Sequence, residues 1–264
     1  MANRSDPRDR LAELWDTEIR AWLQGRRDVS DELRPWFGAY RGSGEGAVNL
    51  EPFPEPFLGD LFATPKAVFL ALNPGPVYEE FQYAGGFFVQ ELEREGYTSW
   101  AARWRYLDEE KPRVEGGLRF HGKRLKFLRR WYGDSSLSGD SMLAFELYPW
   151  HSQKLNAPFR WSDAALRLVR EYVWEPIAAS GAEYVFGVGA DFHREFESLG
   201  TEILGVLGDG GEPAAFTKRR RVTVARSAPG VIALGMNNFN QAAPPNEADT
   251  AILKEALHER GWIP

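Results

Sequence analysis

Residues 66–76 read KAVFLALNPGP, and this stretch predicts the centre of the fold. The residues from Ala67 to Leu72 are apolar without interruption, and the tetrapeptide Asn73-Pro74-Gly75-Pro76 follows them. A short apolar run before such a breaker is typical of a strand buried on both faces. The two prolines fix φ and remove backbone donors, so the strand must end here. Open α/β sheets bind ligands at the carboxyl ends of their strands, which makes Asn73 a candidate site residue. The alternative is a polar turn residue after a core strand.

Three further apolar runs and several helical patterns follow along the chain. The predicted strands are 142–147, 184–188 and 231–234, and the predicted helices include 89–107, 123–132, 162–179 and 246–260. Strands that alternate with helices predict a parallel sheet covered on both faces. We therefore expect an α/β fold, a three-layer α/β/α sandwich around a central, mostly parallel four-stranded sheet. Residues 216–226 are expected to form an exposed strand.

The length of 264 residues is enough to bury a sizeable core, and we expect one domain over residues 1–264. Residues 8–24 carry an apolar stripe at helical spacing. Residues 28–65 are rich in glycine and proline, but their aromatic residues require burial. We therefore interpret residues 1–60 as an N-terminal helix followed by an extended wrap over the core.

The composition excludes several classes of site. The chain has no cysteine, which removes disulfides, thiolate zinc sites and iron–sulfur clusters. The four histidines show no ligand spacing, so we expect neither a metal nor a cofactor. No run reaches the roughly 18 apolar residues of a membrane span, and the start of the chain lacks the apolar core of a signal peptide. The expectation is a cytoplasmic monomer.

Two basic clusters stand against a net charge of −6. They are KRLKFLRR at residues 123–130 and KRRR at residues 218–221. Each is either a solvated surface or a set of phosphate contacts on one side of the molecule. In the second interpretation the partner is DNA, and the candidate contacts are Lys123, Arg124, Lys126, Arg219 and Arg220.

The loop at Asn73 resembles the first motif of the uracil-DNA glycosylase superfamily, a buried strand followed by Gly-x-Asn-Pro-Gly. The sequence Ala71-Leu72-Asn73-Pro74-Gly75-Pro76 is most similar to the single-strand-selective and mismatch-specific branches, and the resemblance extends over about residues 55–260. It implies that Asn73 positions the attacking water. A Gly-x-x-Phe in the family supplies a ring that stacks on the extruded base. Residues 85–88, GGFF, fit this motif, with Phe88 favoured and Phe87 as the alternative.

Two later motifs depart from the family pattern. The second strand of the family ends in an asparagine that reads the pyrimidine edge, whereas this chain has Glu146. A carboxylate accepts from the exocyclic amine of cytosine, and a protonated carboxyl donates to the ring nitrogen. The structural alternative is an ion pair with a nearby arginine. The last family motif, His-Pro-Ser-Pro or Asn-Pro-Ser, corresponds here to residues 236–240, MNNFN. Asn237 and Asn238 are therefore candidates for contact with the departing base, and Phe239 is a candidate wedge.

The resemblance implies a monofunctional DNA base glycosylase, which flips a pyrimidine nucleotide and leaves an abasic site. Glu146 favours a modified cytosine as substrate, such as the glucosylated hydroxymethylcytosine that anti-phage glycosylases of the family excise. The added group would need space near Tyr78 or Tyr83 and a hydroxyl-reading group such as His151 or Gln153, although His151 also fits a structural turn histidine.

Three other functions remain open at this point. One is the uracil-DNA glycosylase of base-excision repair. Another is a catalytically inert DNA-binding module of the same fold, which the missing histidine motif favours. The third is a nucleotide or sugar-phosphate hydrolase, in which Gly187-Val188-Gly189 would form a phosphate loop.

Overall fold

The computed structural model describes residues 6–108, 115–189, 192–198, 201–227, 231–237 and 243–264. Its strands are β1 (Phe57–Leu58), β2 (Ala67–Ala71), β3 (Met142–Glu146), β4 (Tyr184–Val188), β5 (Glu202–Gly208), β6 (Arg221–Arg226) and β7 (Ile232–Asn237). They form one mixed sheet in the order β1–β3–β2–β4–β7–β6–β5.

The helices lie before, between and after these strands. They are α1 (Pro7–Leu23), α2 (Arg34–Phe37), α3 (Glu79–Gln82), α4 (Phe87–Glu95), α5 (Tyr97–Ala102), α6 (Glu115–Tyr132), α7 (Asp163–Val169), α8 (Glu175–Ala179), α9 (Phe192–Ser198) and α10 (Glu247–Glu259). A π-helical segment, Arg170–Trp174, joins α7 to α8. Within the described ranges, every helix is too short or too polar to cross a membrane.

The sheet is larger than the four strands expected from the sequence. The four predicted strands are present as β2, β3, β4 and β7, and they lie side by side and parallel. Antiparallel β1 extends the sheet beyond β3, and antiparallel β6 and β5 extend it beyond β7. The prediction of a four-stranded sheet was wrong because β1 is two residues long within a proline-rich segment, and β5 carries a glycine at a register shift.

The strand expected to be exposed, within residues 216–226, is largely buried. Val222, Val224 and Ala225 are excluded from solvent because β6 lies between β7 and β5. Charged residues at the two ends of β6, Arg221 and Arg226, give the sequence its polar character. The apolar residues between them belong to the core.

Helices cover both faces of the sheet. On one face, the Phe127 ring of α6 packs edge-on against Phe186 of β4, with 4.9 Å between ring centroids. On the other face, Phe192 of α9 fills the space beside Gly187, where a Cβ would come within 2.9 Å of its ring. Since neighbouring residues of a strand point to opposite faces, α6 and α9 lie on opposite sides.

The N-terminal segment is joined to the core at several points. Trp15 of α1 packs edge-on against Trp36 and Trp150, at 6.2 and 6.1 Å between ring centroids. Further along, the backbone of Glu146 donates to Pro56 at 3.0 Å. The segment that precedes β2 thereby supplies an edge strand and reaches the carboxyl end of β3.

Candidate active site

A cavity of about 340 Å³ opens at the carboxyl ends of β2 and β3. The loop after β2 forms one wall through Pro74, Gly75 and Pro76, and Glu146 at the end of β3 contributes a carboxyl group. The remaining lining residues come from β1 and the segment before it, from the loop after β2 and α3, from the segment between α5 and α6, from the first half of α6, and from β3: Glu55, Phe57, Leu58, Tyr78, Gln82, Tyr106, Gly116, Gly117, Phe120, His121 and Ala144.

Glycines set how closely the walls approach. Gly75 has φ of 80°, a conformation that turns the loop and that residues with a Cβ rarely adopt. At the start of α6, a Cβ on Gly116 would overlap the Tyr78 hydroxyl, and one on Gly117 would overlap the Tyr106 ring. The two glycines therefore let α6 lie directly against these tyrosines, and the cavity is closed on that side by aromatic rings.

Asn73 follows β2, as the sequence predicts, and its side chain is oriented by a neighbour. Its Nδ2 donates to Ser152 Oγ at 3.0 Å, which directs the amide oxygen away from that serine. Asn73 is half-buried and stands beside the cavity, whose wall begins at the next residue, Pro74. The amide oxygen has no protein partner within the described ranges.

His151 lies behind the loop, so the expectation that it contacts the base or an added group is not met. It is buried, and its Nδ1 lies 3.2 Å from the carbonyl oxygen of Gly75. Burial lowers the pKa of His151 to about 4, so the ring is neutral near pH 7. A neutral ring that donates from Nδ1 fixes the position of the Gly75 backbone and leaves Nε2 as an acceptor.

Glu146 is the residue at the end of β3 where the family that the chain resembles has an asparagine. Burial raises its pKa to about 8, although the positive charge of Arg124 acts in the opposite direction. The distance from Glu146 Oε1 to Arg124 Nη2 is 3.9 Å, at the outer limit of an ion pair, and Oε2 has no hydrogen-bond partner within the described ranges. The arginine foreseen in the structural alternative is present, but desolvation dominates. The group is therefore largely protonated near pH 7.

Arg124 cannot contact a DNA phosphate, contrary to the expectation from its basic cluster. Its side chain is fully buried, and the guanidinium lies over the Phe120 ring at 4.2 Å from the centroid. The sequence pattern failed here because a helix within a basic run still directs one side to the core. Residue 124 shares that side with Phe120 and His121.

Glu55 is a second buried carboxyl group in the cavity, and sequence reasoning missed it. Tyr106 donates its hydroxyl proton to Glu55 Oε1 at 2.5 Å, and Gln82 Nε2 donates to Tyr106 Oη at 2.9 Å. Glu55 Oε2 lies 3.8 Å from His151 Nε2. Burial raises the pKa of Glu55 to about 7, despite these hydrogen bonds. The available signal was an acidic residue inside an otherwise apolar segment, 52–58, PFPEPFL.

Phe88 belongs to the core, so the prediction that it stacks on a base was wrong. It is 0% exposed, and the rings of Phe81, Trp100 and Tyr106 surround it at 5.0–5.3 Å between centroids. Phe87, the alternative, is half-buried with Arg105 at 5.7 Å from its centroid, and it does not line the cavity. The aromatic walls come instead from residues that no motif indicated, Phe57, Tyr106 and Phe120, together with Tyr78.

The candidates near the end of the last strand are described only in part. Asn237 is the final residue of β7, half-buried and opposite Arg221 in the β6–β7 register. It does not line the cavity, since β4 separates β7 from β2. Asn238 and Phe239 lie outside the described residues.

One of the two glycines proposed as a phosphate loop, Gly187, serves packing, whereas a Cβ at Gly189 would meet open space. Gly187 lies within β4, and Phe192 of α9 covers it. A backbone covered by a phenyl ring cannot cradle a phosphate, so Gly187 gives the hydrolase alternative no support. Among the described residues, no group of three or more acidic or histidine side chains is arranged to hold a metal ion.

The remaining basic candidates lie apart from the cavity. Lys123, Lys126 and Arg220 line a second, smaller cavity on another side of α6. Arg219 is exposed, and its Nη2 lies 2.9 Å from Asp209 Oδ2. The structure therefore brings together parts of the two basic clusters of the sequence.

The sequence matches no protein-family model, and no curated protein is significantly similar to it. The function must therefore be argued from the chemistry of the site.

Proposed function

We propose that this protein is a monofunctional DNA base glycosylase that hydrolyses the N-glycosidic bond of a flipped pyrimidine nucleotide. The observation that carries the proposal is the cavity beside the Asn-Pro-Gly-Pro loop, which combines aromatic walls with the buried carboxyl group of Glu146. Its volume of about 340 Å³ lies in the range of ligand pockets, about 300–1,000 Å³. The proposed product is an abasic site.

Aromatic walls suit a base that has left the DNA stack. An enzyme cannot reach the glycosidic bond of a stacked base, so the nucleotide must rotate out of the helix. Phe120 and Tyr78 are half-buried and line the cavity, so each presents part of its ring to an occupant. Stacking on such a ring is worth about 1–3 kcal/mol per base, which offsets part of the cost of unstacking.

Glu146 suits a cytosine-type base in either protonation state, and its protonated form also pairs with uracil. Cytosine forms two hydrogen bonds with the carboxyl group whether the shared proton lies on the carboxyl oxygen or on the ring nitrogen N3. In both cases the second carboxyl oxygen accepts from the exocyclic amine. Uracil presents N3–H and O4 instead, and it is served only by the protonated carboxyl. Transfer of the proton from Glu146 to N3 also neutralises the charge that the departing base acquires.

Asn73 would hold the water that attacks the sugar. The bond between C1′ and the base nitrogen breaks with its electron pair on the base, and the sugar gains oxocarbenium character. Water then adds its oxygen to C1′ and releases a proton to solvent, from which Glu146 is reprotonated. Asn73 orients this water through its amide oxygen and is not itself a base.

The proposed substrate is cytosine with an added group at the 5-position, such as the glucosylated hydroxymethylcytosine of phage DNA. Removal of ordinary cytosine would damage every genome, so the added group must decide the choice of base. Tyr78 lines the cavity with its hydroxyl packed directly against Gly116, and it is the candidate contact for the added group. An anti-phage role follows from this substrate.

The test is base release, followed by mass spectrometry, from uracil-containing DNA, plain DNA and phage DNA with glucosylated hydroxymethylcytosine. We expect release from phage DNA alone, and its loss in Asn73→Ala and in Glu146→Gln. Glu45→Gln is the matched control, because Glu45 is exposed and pairs with Lys154. Circular dichroism of each variant verifies folding.

Two other outcomes would contradict parts of the proposal. Release from uracil DNA alone would assign base-excision repair and refute the role of Glu146 as a cytosine reader. Binding of DNA without release of any base would refute the glycosylase and support the inert binding module.

A further inference from the structure

The second cavity, of about 210 Å³, lies between α6 and the segment that precedes β6. Lys123, Lys126 and Arg130 contribute from α6, and their spacing of three and four residues places them on one side of the helix. Lys218 and Arg220 contribute from the opposite wall. The other lining residues are Ala243, Pro244, Pro245 and Asn246.

Positive charge in this cavity exceeds the negative charge around it. Among the described residues, five cationic side chains and no carboxyl group line it. Asp249 Oδ2 lies 3.4 Å from Arg220 Nη2, and Glu247 interacts electrostatically with Arg130. Within the described ranges, the three lysines form no ion pair. Like charges held together in this way repel one another unless an anion joins them.

Arg220 gives the cavity an unsatisfied donor. Its side chain is 2% exposed, and neither Nε nor Nη1 has a hydrogen-bond partner within the described ranges. Nε of Arg130 lacks one as well, although Nη2 donates to the Pro245 carbonyl at 2.7 Å. Buried donors without partners are costly, and a guanidinium presents its donors in a fork that matches phosphate oxygens.

We propose that this cavity is a phosphate-binding site, distinct from the candidate active site, in which a phosphate group contacts Arg220 between the lysines of α6 and Lys218. Asn246 caps the thirteen-residue helix α10 at the cavity wall, and the positive end of that helix adds to the attraction. The phosphate belongs either to a free phosphate compound or to a nucleic acid strand. The site does not depend on glycosylase activity, because no group in it belongs to the first cavity.

The test measures binding of pyrophosphate by isothermal titration calorimetry to the whole protein. The variants are Lys123→Ala/Lys126→Ala and, from the opposite wall, Lys218→Ala; all three lysines are exposed, so the fold should persist. The control is Lys66→Ala/Lys154→Ala, which removes two exposed lysines that do not line the cavity. We expect both test variants to raise the Kd about tenfold or more, or 1.4 kcal/mol, and the control to change it less than about twofold.

A second arm distinguishes the sources of the phosphate. A short oligothymidylate is titrated as a competitor of pyrophosphate. If the oligothymidylate displaces pyrophosphate from the wild type, and displaces it less well from the lysine variants, the site binds a nucleic acid strand. If it does not displace pyrophosphate, the site binds a free phosphate compound. The proposal is overturned if wild-type protein binds neither probe, or if the test and control variants weaken binding equally. These experiments measure phosphate binding and not base release, so their result neither supports nor contradicts the glycosylase proposal.

Discussion

The carboxyl groups of Glu55 and Glu146 are buried in one cavity, and burial raises both pKa values. Each group interacts with a different partner: Glu55 accepts from Tyr106, and Glu146 faces Arg124. The negative charge of Glu55 further raises the pKa of Glu146. The pKa of one carboxyl group therefore depends on whether the other is ionised, and the cavity carries the most negative charge at alkaline pH.

Glu146 makes stability depend on pH. Its pKa is about 8 in the folded protein and near 4.5 in the unfolded chain, so the unfolded chain loses this proton first as the pH rises. The stabilisation is complete below pH 4.5 and is lost as the pH approaches 8. In Glu146→Gln the fall in unfolding free energy between pH 5 and pH 8 should be smaller by about 1–4 kcal/mol, since each pKa unit corresponds to about 1.4 kcal/mol.

Urea unfolding at a series of pH values measures this difference. The pH dependence is compared, and not the absolute stability, because the glutamine also replaces the carboxyl group beside Arg124. Glu45→Gln controls for an exposed glutamate. Equal pH dependence in wild type and Glu146→Gln would show that Glu146 is ionised throughout, and the proton transfer to the base would have to be abandoned.

Alanine substitutions of Phe88 and Phe120 distinguish a residue that stabilises the core from one that contacts the base. Phe88→Ala should lower the unfolding free energy by about 3–5 kcal/mol, as loss of a buried phenyl ring does. Phe120→Ala should cost less, because its ring is half-exposed, and it should weaken binding of DNA with a flipped base by about 1–3 kcal/mol. Urea unfolding and DNA titration measure the two effects. Selective loss of DNA binding in a stable Phe88→Ala protein would restore Phe88 as the stacking ring.

At the scale of the element, α6 separates the two cavities. Gly116, Gly117 and Phe120 face the first cavity, whereas Lys123 and Lys126 face the second. The two sides require opposite properties, small and aromatic residues on one and long cations on the other. Substitutions on α6 should therefore affect one cavity at a time.

Two glycines of α6 provide a matched pair. Alanine in place of glycine within a helix usually stabilises by about 0.5–1 kcal/mol. At Gly122 a Cβ would meet open space, so Gly122→Ala should stabilise by this amount. At Gly117 it would overlap the buried Tyr106 ring, so Gly117→Ala should destabilise the protein and reduce base release. Thermal unfolding of both variants tests this; equal stabilisation would mean that the wall at Tyr106 is not closely packed.

The sequence predicted the central strands well because their signal is local. In β2 and β3 every residue is buried, so β2 appears as an uninterrupted apolar run and β3 as an apolar run that ends in Glu146. β1 could not be recognised, since its two residues pair only with β3, more than eighty positions away. Separation along the chain also hid Glu55, whose partner Tyr106 lies 51 positions further on. The position of Asn73 was predictable because the breaker that places it is adjacent.

At the scale of the molecule, the segment before β2 is part of both core and site. Its buried residues include Trp15, Trp36 and Phe53, and it supplies Glu55 and Phe57 to the first cavity. Trp36 also donates from its indole nitrogen to the carbonyl oxygen of Leu147 at 2.9 Å, just beyond β3. The segment before β2 thus holds the carboxyl end of β3 in place.

A chain that begins at residue 61 should therefore fail to fold, and not merely lose activity. It lacks α1, α2 and β1, and each large buried side chain removed contributes about 1.5–3 kcal/mol. Urea titration followed by tryptophan fluorescence should show no cooperative transition, whereas the full chain should unfold cooperatively. A cooperative transition in the shorter chain would mean that the central sheet folds without its N-terminal segment, and Glu55 would then be an addition to a site that exists without it.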